Sequence, residues 1–275
     1  MDNKQLIIKL SDGHPIPQIG LGVWQASQEE ARAAVKHALK SGYRHIDTAS
    51  IYQNEAGVGL GICDANLARE DVFVTTKVWN DAQGFTAAKT AIDASLQRLN
   101  LDYVDMLLIH WPVPDKDLYV ETWQALMEAR EQGKVRSIGV SNFNSDHLKK
   151  LIADTGVSPV INQIELHPFF QQHELRKANA ELNILTQAWS PLGQGQVLAD
   201  GRIASIGAKH GKSSAQVIIR WHLQLGHVVI PKSVTPSRIE ENLNVFDFEL
   251  DQSDMAQIAQ LDKGYRIGPD PMEFS

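Results

Sequence analysis

Eight short apolar or β-branched runs alternate along the chain with segments of helical periodicity, and this alternation constrains the fold more than any other feature. Several runs are apolar at consecutive positions, which is typical of strands buried on both faces. Strand–helix alternation predicts a parallel sheet with right-handed crossovers. The eight predicted strands lie near Ile19–Val23, His45–Thr48, Val72–Thr76, Val104–Ile109, Ser137–Val140, Ile161–Glu165, Ile184–Trp189 and Val228–Ile230.

Local signals support helices between these runs. Ser27 and Glu30 have the spacing of a capping box ahead of an apolar helical face. Thr235 and Pro236 indicate the N-cap and the first residue of a late helix. Before the first barrel strand, Leu6–Gln18 predicts a small hairpin with a Ser-Asp-Gly turn.

Eight strand–helix units favour closure into a barrel over an open doubly wound sheet. An open dinucleotide-binding sheet also predicts Gly-x-Gly-x-x-Gly after the first strand. The sequence there is Gly20–Trp24, without that motif, and the glycines of Gly57–Gly61 have the wrong spacing within a helical stretch. The predicted fold class is therefore α/β, a single (β/α)8 TIM barrel over residues 1–275 with a short N-terminal β-hairpin at the bottom and a short C-terminal tail.

Composition narrows the possible functions. With 26 basic and 33 acidic side chains, the formal net charge is −7, a poor match to nucleic acid. The single cysteine, Cys63, cannot form an intramolecular disulfide, which fits a reducing compartment. No run approaches the roughly 18 apolar residues of a membrane span, and the start does not resemble a signal peptide. We expect a cytoplasmic protein without nucleic-acid or membrane partners.

Polar side chains stand at the carboxyl ends of three successive predicted strands, where barrels carry catalytic groups. They are Asp47, Lys77 and His110, and Tyr52 follows Asp47 in the same loop region. A nearby ammonium lowers the pKa of a phenol, and a carboxylate keeps that ammonium charged. A histidine can orient a carbonyl oxygen. The set therefore predicts a general acid that protonates a developing oxyanion.

Taken singly, these residues have ordinary structural explanations. Asp47 could cap a helix, Lys77 could be a surface lysine, and His110 could belong to a packed loop with a satisfied imidazole. Together with Tyr52 they make four such groups, all at or just beyond three successive strand ends. Packing alone explains this coincidence poorly.

Lys232–Arg238 follows the last strand and leads into a helix. Its cations, its hydroxyl groups and the free N–H groups of a helix start predict an anion site. The loops after strands seven and eight are also the usual phosphate position in barrels. The alternative is an ordinary capped helix with solvated Lys232 and Arg238. One turn further, Glu241 and Asn242 could reach an adenine edge or be helix surface.

Further residues at strand ends could bind an aromatic ring or a carboxamide group of a ligand. The indole of Trp189 can stack on an aromatic ligand. Hydroxyl and amide groups that suit a carboxamide belong to Ser141, Asn142 and Gln163. The indoles that could wall an apolar substrate pocket belong to Trp24, Trp79 and Trp111.

Three long motifs resemble the signatures of the aldo-keto reductase family. Residues Gly42–Glu55 resemble the first signature, Ile138–Phe143 the central one and Ile230–Asn242 the C-terminal one. The resemblance extends from the hairpin to Pro271. It is closest to the bacterial 2,5-diketo-D-gluconate reductase branch, in the segments 75–81 and 162–168.

The resemblance implies NADPH-dependent reduction of aldehydes and ketones, with keto-sugar acids, methylglyoxal and β-keto esters as substrates and NADP+ as product. It implies that Tyr52 is the general acid, that Lys77 and Asp47 tune it, and that His110 orients the carbonyl. It implies a monomer without a metal, and the short tail suggests an open pocket. The implied cofactor-binding residues are Ser141, Asn142, Gln163, Trp189, Ser190, Leu192, Lys232, Ser233, Val234, Thr235, Arg238, Glu241 and Asn242. The implied substrate-binding residues are Trp24, Trp79, His110 and Trp111.

Other functions stay open at this point. A Schiff-base lyase could use Lys77, although Asp47 beside it favours a protonated amine that cannot act as a nucleophile. A non-catalytic nucleotide-sensing subunit is a rival from another class. Glycosidase chemistry needs a pair of carboxylates, but the fourth predicted strand ends in His110 and the seventh in Trp189, and the histidine spacing does not suit a metal hydrolase.

Overall fold

The computed structural model describes residues 6–274 and contains all eight predicted strands. Strands adjacent in sequence pair in parallel throughout the sheet. The strands are the hairpin pair β1 (Ile7–Lys9) and β2 (Pro15–Pro17), followed by β3 (Leu21–Gly22), β4 (His45–Asp47), β5 (Phe73–Val78), β6 (Val104–Ile109), β7 (Val135–Ser141), β8 (Ile161–Glu165), β9 (Leu185–Trp189) and β10 (Val228–Val229).

The first and last strands of the sheet meet and close it. The backbone N–H of Gly20 donates to the carbonyl oxygen of Val229 at 2.9 Å, and that of Gly22 donates to Pro231 at 3.2 Å. Gly22 also forms a parallel bridge with Lys232. Closure removes the free edges of the sheet. The barrel prediction is confirmed, as is the antiparallel hairpin that precedes it.

Helices follow the strands as the periodicity predicts. Ser27 and Glu30 form the predicted capping box, with bonds of 3.2 and 2.8 Å. Thr235 precedes the late helix as predicted, but its side chain makes no capping bond to the described residues there. The helices are α1 (Gln28–Lys40), α2 (Glu55–Ala65), α3 (Phe85–Leu99), α4 (Tyr119–Glu131), α5 (Ser145–Thr155), α6 (His173–Glu181), α7 (Gly201–His210), α8 (Ser214–Gln224), α9 (Pro236–Leu243) and α10 (Gln252–Ala259).

The glycines of the segment 57–61 lie inside α2 and serve helix packing. A Cβ atom on Gly57 would lie 2.1 Å from the carbonyl oxygen of Gln28, and one on Gly59 would lie 2.0 Å from that of Leu99. Glycine is therefore required where α2 crosses the start of α1 and the end of α3. This placement agrees with the rejection of an open dinucleotide-binding sheet.

Apolar side chains pack between the strands and the helices. The largest buried cluster combines strand residues such as Ile46 with helix residues such as Val35 and Leu39. Within residues 6–274, no helix has both the length and the apolar character that crossing a bilayer requires.

Histidines near the amino ends of the strands are buried in the neutral form. Nε2 of His45 lies 3.1 Å from the hydroxyl of Thr75. Burial lowers the pKa of His45 from 6.5 to about 4 and that of His227 to about 3. The native state therefore resists protonation of these rings until well below the pH at which an unfolded chain would bind the protons.

We expect the free energy of unfolding to fall as the pH decreases from about 6.5 towards 4, because the unfolded chain binds protons there that the native rings exclude. Each such histidine adds a slope of up to about 1.4 kcal/mol per pH unit. Guanidinium titrations at several pH values measure this slope. His45→Gln should make this slope shallower than that of the wild type. A slope in this variant as steep as that of the wild type would contradict the assignment.

Candidate active site

The ends of β4, β5 and β6 bring the four predicted catalytic side chains together at one mouth of the barrel. Nζ of Lys77 donates a hydrogen bond to Oδ1 of Asp47 and another, of 2.9 Å, to the carbonyl oxygen of Thr48. The same Nζ atom lies 5.2 Å from the centroid of the Tyr52 ring. The ring centroids of Tyr52 and His110 are 5.7 Å apart.

The ordinary explanations for these residues do not hold. Lys77 and Asp47 are each 1% exposed, so neither is a surface residue. The second oxygen of Asp47 accepts a 2.7 Å bond from Nε2 of Gln163, and the carboxylate is used within the site rather than at a helix start. Nδ1 of His110 is buried and has no hydrogen-bond partner among residues 6–274, so its imidazole is not a satisfied loop side chain.

The electrostatics of the site differ from the prediction in one respect. Burial alone would lower the pKa of Lys77, but Asp47 and Tyr52 outweigh it and raise that pKa. Burial raises the pKa of Tyr52, and Lys77 offsets this only in part. The prediction of an unusually acidic phenol is therefore wrong, because desolvation of the phenolate outweighs the attraction of the ammonium. Burial, followed by the charge of Lys77, lowers the pKa of His110 well below 6.5.

A cavity of about 260 Å³ lies against this set, and its lining includes Trp24, Trp79 and Trp111 as predicted for the pocket wall. The edge of Trp79 meets the His110 ring, with centroids 4.9 Å apart. Phe274 also lines the cavity, and its ring centroid lies 4.5 Å from that of Trp111. An apolar aromatic chamber therefore faces the phenol and the imidazole.

The C-terminal tail forms part of the cavity wall, a contribution that the expectation of an open pocket does not include. Gly268 and Pro269 line the cavity together with Phe274. The tail is short but folds back over the site instead of leaving it. The motifs that indicate the other wall residues do not reach Phe274, and an aromatic residue after the Gly268–Pro271 turn segment is the only signal for it.

The residues predicted to bind a carboxamide form one hydrogen-bonded network beside the cavity. The Ser141 hydroxyl donates to the carbonyl oxygen of Gln163 at 2.9 Å. Nδ2 of Asn142 donates to the carbonyl oxygen of His110 at 3.0 Å. Nε1 of Trp189 donates to Oδ1 of Asn142 at 2.7 Å, a bond that the stacking prediction for Trp189 does not include.

A second cleft, of about 720 Å³, adjoins the cavity and shares lining residues with it, including Lys232. Lys232 and Arg238 are exposed, and neither forms an ion pair within the part of the chain that the structure describes. Residues 213–215 at the start of α8 also line the cleft, although no predicted motif points to them. The predicted residues that line it are Ser190, Leu192, Lys232, Ser233, Val234, Thr235, Arg238, Glu241 and Asn242.

The cavity and the cleft thus collect nearly every predicted site residue on one face, with Lys77 buried beneath it. Among residues 6–274, no group of three or more His, Cys, Asp or Glu side chains has the arrangement of a metal site. The constellation can donate a proton from a phenol to an oxygen in the cavity. It also offers the exposed cations Lys232 and Arg238 to an anion in the cleft.

Comparison with known proteins identifies the family. The model of the Aldo/keto reductase family matches residues 18–263. An aldo-keto reductase of Mycolicibacterium smegmatis is 55% identical over 268 residues, which are 98% of each chain. The methylglyoxal reductase DkgA of Escherichia coli is 53% identical over 270 residues, again 98% of each chain.

Solved structures agree with the sequence matches. The crystal structure of an aldo/keto reductase from Brucella melitensis superposes with a TM-score of 0.93 at 55% identity, covering 95% of this chain and 100% of that one. A mutant of the protein Gox0644 in complex with NADPH has a TM-score of 0.95 at 51% identity, covering 98% and 99%. The chain belongs to the aldo-keto reductase family, in the 2,5-diketo-D-gluconate reductase branch that its motifs indicate.

Proposed function

We propose that this protein uses NADPH to reduce the carbonyl group of small aldehydes and ketones to an alcohol, with Tyr52 as the proton donor. One observation carries the proposal: the buried ion pair of Lys77 and Asp47 lies against a phenol that faces an apolar cavity. The methylglyoxal reductase relatives and the neighbour solved with NADPH support it.

The residues present fit NADPH at both ends. In the cleft, the exposed cations Lys232 and Arg238, with Ser233, would hold the 2′-phosphate. Beside the cavity, hydroxyl and amide groups would hold the carboxamide, and the indole of Trp189 would lie against the ring. The cofactor would supply the hydride that reduces the carbonyl carbon. The residues that would bind the carboxamide are Ser141, Asn142 and Gln163.

The chain's own residues then handle the proton and the orientation of the substrate. Because the pKa of Tyr52 is raised, its phenol is protonated at neutral pH and can donate to the carbonyl oxygen. The charged Lys77, paired with Asp47, stabilises the phenolate that this transfer leaves. The neutral His110 can donate an N–H bond to the same oxygen and orient it.

The cavity favours uncharged substrates. Its wall is largely apolar, and the only lysine or arginine that lines it, among the described residues, is Lys232, which it shares with the cleft. We therefore propose methylglyoxal and β-keto esters as better substrates than keto-sugar acids, which remain a prediction of the sequence. Steady-state assays with NADPH and all three classes test this ranking. No turnover of any of them would contradict the proposed function.

The Schiff-base alternative has a chemical obstacle. A lyase needs an uncharged lysine, but Asp47 and Tyr52 outweigh the effect of burial and raise the pKa of Lys77. Borohydride reduction in the presence of methylglyoxal should therefore leave no adduct on Lys77. A mass spectrum that shows one would favour the lyase.

Replacing Arg238 by alanine should weaken the binding of NADPH much more than the binding of NADH. A charge-assisted hydrogen bond to phosphate contributes about 1.5–3 kcal/mol, so the Kd for NADPH should rise about 10–100-fold. Fluorescence titration with both dinucleotides measures the effect. Arg202→Ala, at an exposed arginine in α7, is the control. Equal losses for the two dinucleotides would refute recognition of the 2′-phosphate.

A further inference from the structure

One buried carboxylate at the end of β8 has no part in the proposed proton transfer. Glu165 is 1% exposed. Its Oε1 accepts a 2.6 Å bond from the backbone N–H of Ile267, and its Oε2 accepts a 2.8 Å bond from that of Gly268. Nε2 of the buried His167 lies 3.0 Å from Oε1. The carboxylate therefore binds two successive amides of the C-terminal tail.

The tail reaches Glu165 along the loop that follows β8. The backbone N–H groups of Lys263 and Tyr265 both donate to the carbonyl oxygen of Phe169, at 3.0 and 3.1 Å. The guanidinium of Arg266 lies over the ring of Phe170, 4.6 Å from its centroid. The bonds to Glu165 come next along the chain, before the tail crosses the mouth.

Beyond these bonds the tail touches the site directly. A Cβ atom on Gly268 would lie 2.4 Å from the Trp189 indole and 3.0 Å from Oε2 of Glu165. A turn then brings the N–H of Phe274 within 3.0 Å of the carbonyl oxygen of Asp270. This turn places the Phe274 ring against Trp111 in the cavity wall.

We propose that Glu165 is a positioning residue that sets the size selectivity of the reductase by fastening the tail as a fixed wall of the substrate cavity. This inference rests on the proposed function. A carboxylate suits the task because its two oxygens accept from two neighbouring N–H groups, and ionic acceptors form stronger bonds than neutral ones. Glutamine at this position has a single acceptor oxygen and turns an NH₂ group towards the other amide.

The first test is Glu165→Gln. The KM for methylglyoxal should rise about tenfold with kcat within about twofold, because the wall is lost while the proton donor is intact. The preference for a bulky aromatic aldehyde over methylglyoxal should rise by about the same factor. Hydrogen exchange of the amides at 267–274 should become faster. Glu55→Gln, at a buried glutamate that bonds Thr76 and Arg98, is the matched control and should leave the KM, the aldehyde preference and the exchange of the tail amides unchanged.

The second test keeps the carboxylate of Glu165 and changes the tail instead, so it tests the proposal even if Glu165→Gln fails to fold. Gly268→Ala should displace the tail from Trp189 and reproduce the kinetic change, whereas Gly201→Ala, which has open space around it, should not. Combined with Glu165→Gln or with Gly268→Ala, Phe274→Ala should change the KM and the aldehyde preference little further. All three substitutions remove the same wall of the cavity, so their effects should not add.

The outcomes separate the two proposals. Unchanged tail exchange in Glu165→Gln, an unchanged preference between the aldehydes, or full additivity with Phe274→Ala would overturn the role of Glu165. Failure of the wild-type protein to reduce any carbonyl would refute the proposed function, and tail exchange would still report whether Glu165 anchors the tail.

Discussion

Tyr52→Phe is expected to lower kcat for NADPH-dependent carbonyl reduction by about 10²–10⁴-fold, the usual contribution of a general acid. The phenyl ring keeps the shape of the site and its contacts with His110 but cannot donate a proton. Stopped-flow measurement of NADPH oxidation with methylglyoxal gives the rate, and fluorescence titration gives the Kd for NADPH.

The control in this experiment is the cofactor affinity, which should stay within about twofold because Tyr52 is not among the residues proposed to hold the dinucleotide. Turnover close to the wild-type value would refute the assignment of the acid.

Lys77→Met should remove activity and destabilise the fold together. It leaves the carboxylate of Asp47 buried without its cation, and breaking a buried pair in this way costs about 3–5 kcal/mol. Urea denaturation, followed by tryptophan fluorescence, measures the change in the free energy of unfolding. Adding Asp47→Asn to this variant should recover much of the stability, since no unpaired charge then remains, but none of the activity.

Lys89→Met is the matched comparison, because Lys89 forms a 2.7 Å ion pair with Glu128 at the surface. Exposed pairs contribute about 0–1 kcal/mol, so this variant should unfold almost as the wild type does. If the two methionine variants were equally stable, the buried pair would not have the structural role assigned to it.

The barrel could be predicted because its determinants are local. Strands buried on both faces are apolar at consecutive positions, as residues 106–109 show, and parallel strands need helices between them. The bounds were less predictable: β3 includes only Leu21–Gly22 of the predicted Ile19–Val23, because the flanking residues form closing contacts instead of regular pairing. The positions of Asp47, Lys77 and His110 followed from the rule that strand ends share one rim.

The remaining features depend on relations that no short motif contains. The pKa of Tyr52 reflects competition between desolvation and the charge of Lys77, and only the distances and the burial decide which is larger. The contact of Phe274 with Trp111 joins residues far apart in the chain, without periodicity to indicate it. Glu165 lies in the segment 162–168, which resembles the family, but the two backbone amides that it binds belong to the tail, about 100 residues later.

The bond between Gln163 and Asp47 has a thermodynamic consequence. Asp47 divides its two oxygens between Gln163 and Lys77, so the amide that is proposed to hold the cofactor and the ammonium beneath the phenol share one counter-ion. A change that moves Gln163 away from Asp47 leaves Lys77 as the main partner of that carboxylate. If bound dinucleotide moves Gln163, reciprocity of linked equilibria couples its affinity to the ionisation of the phenol, so the Kd would change only at a pH high enough to ionise Tyr52 and not at neutral pH.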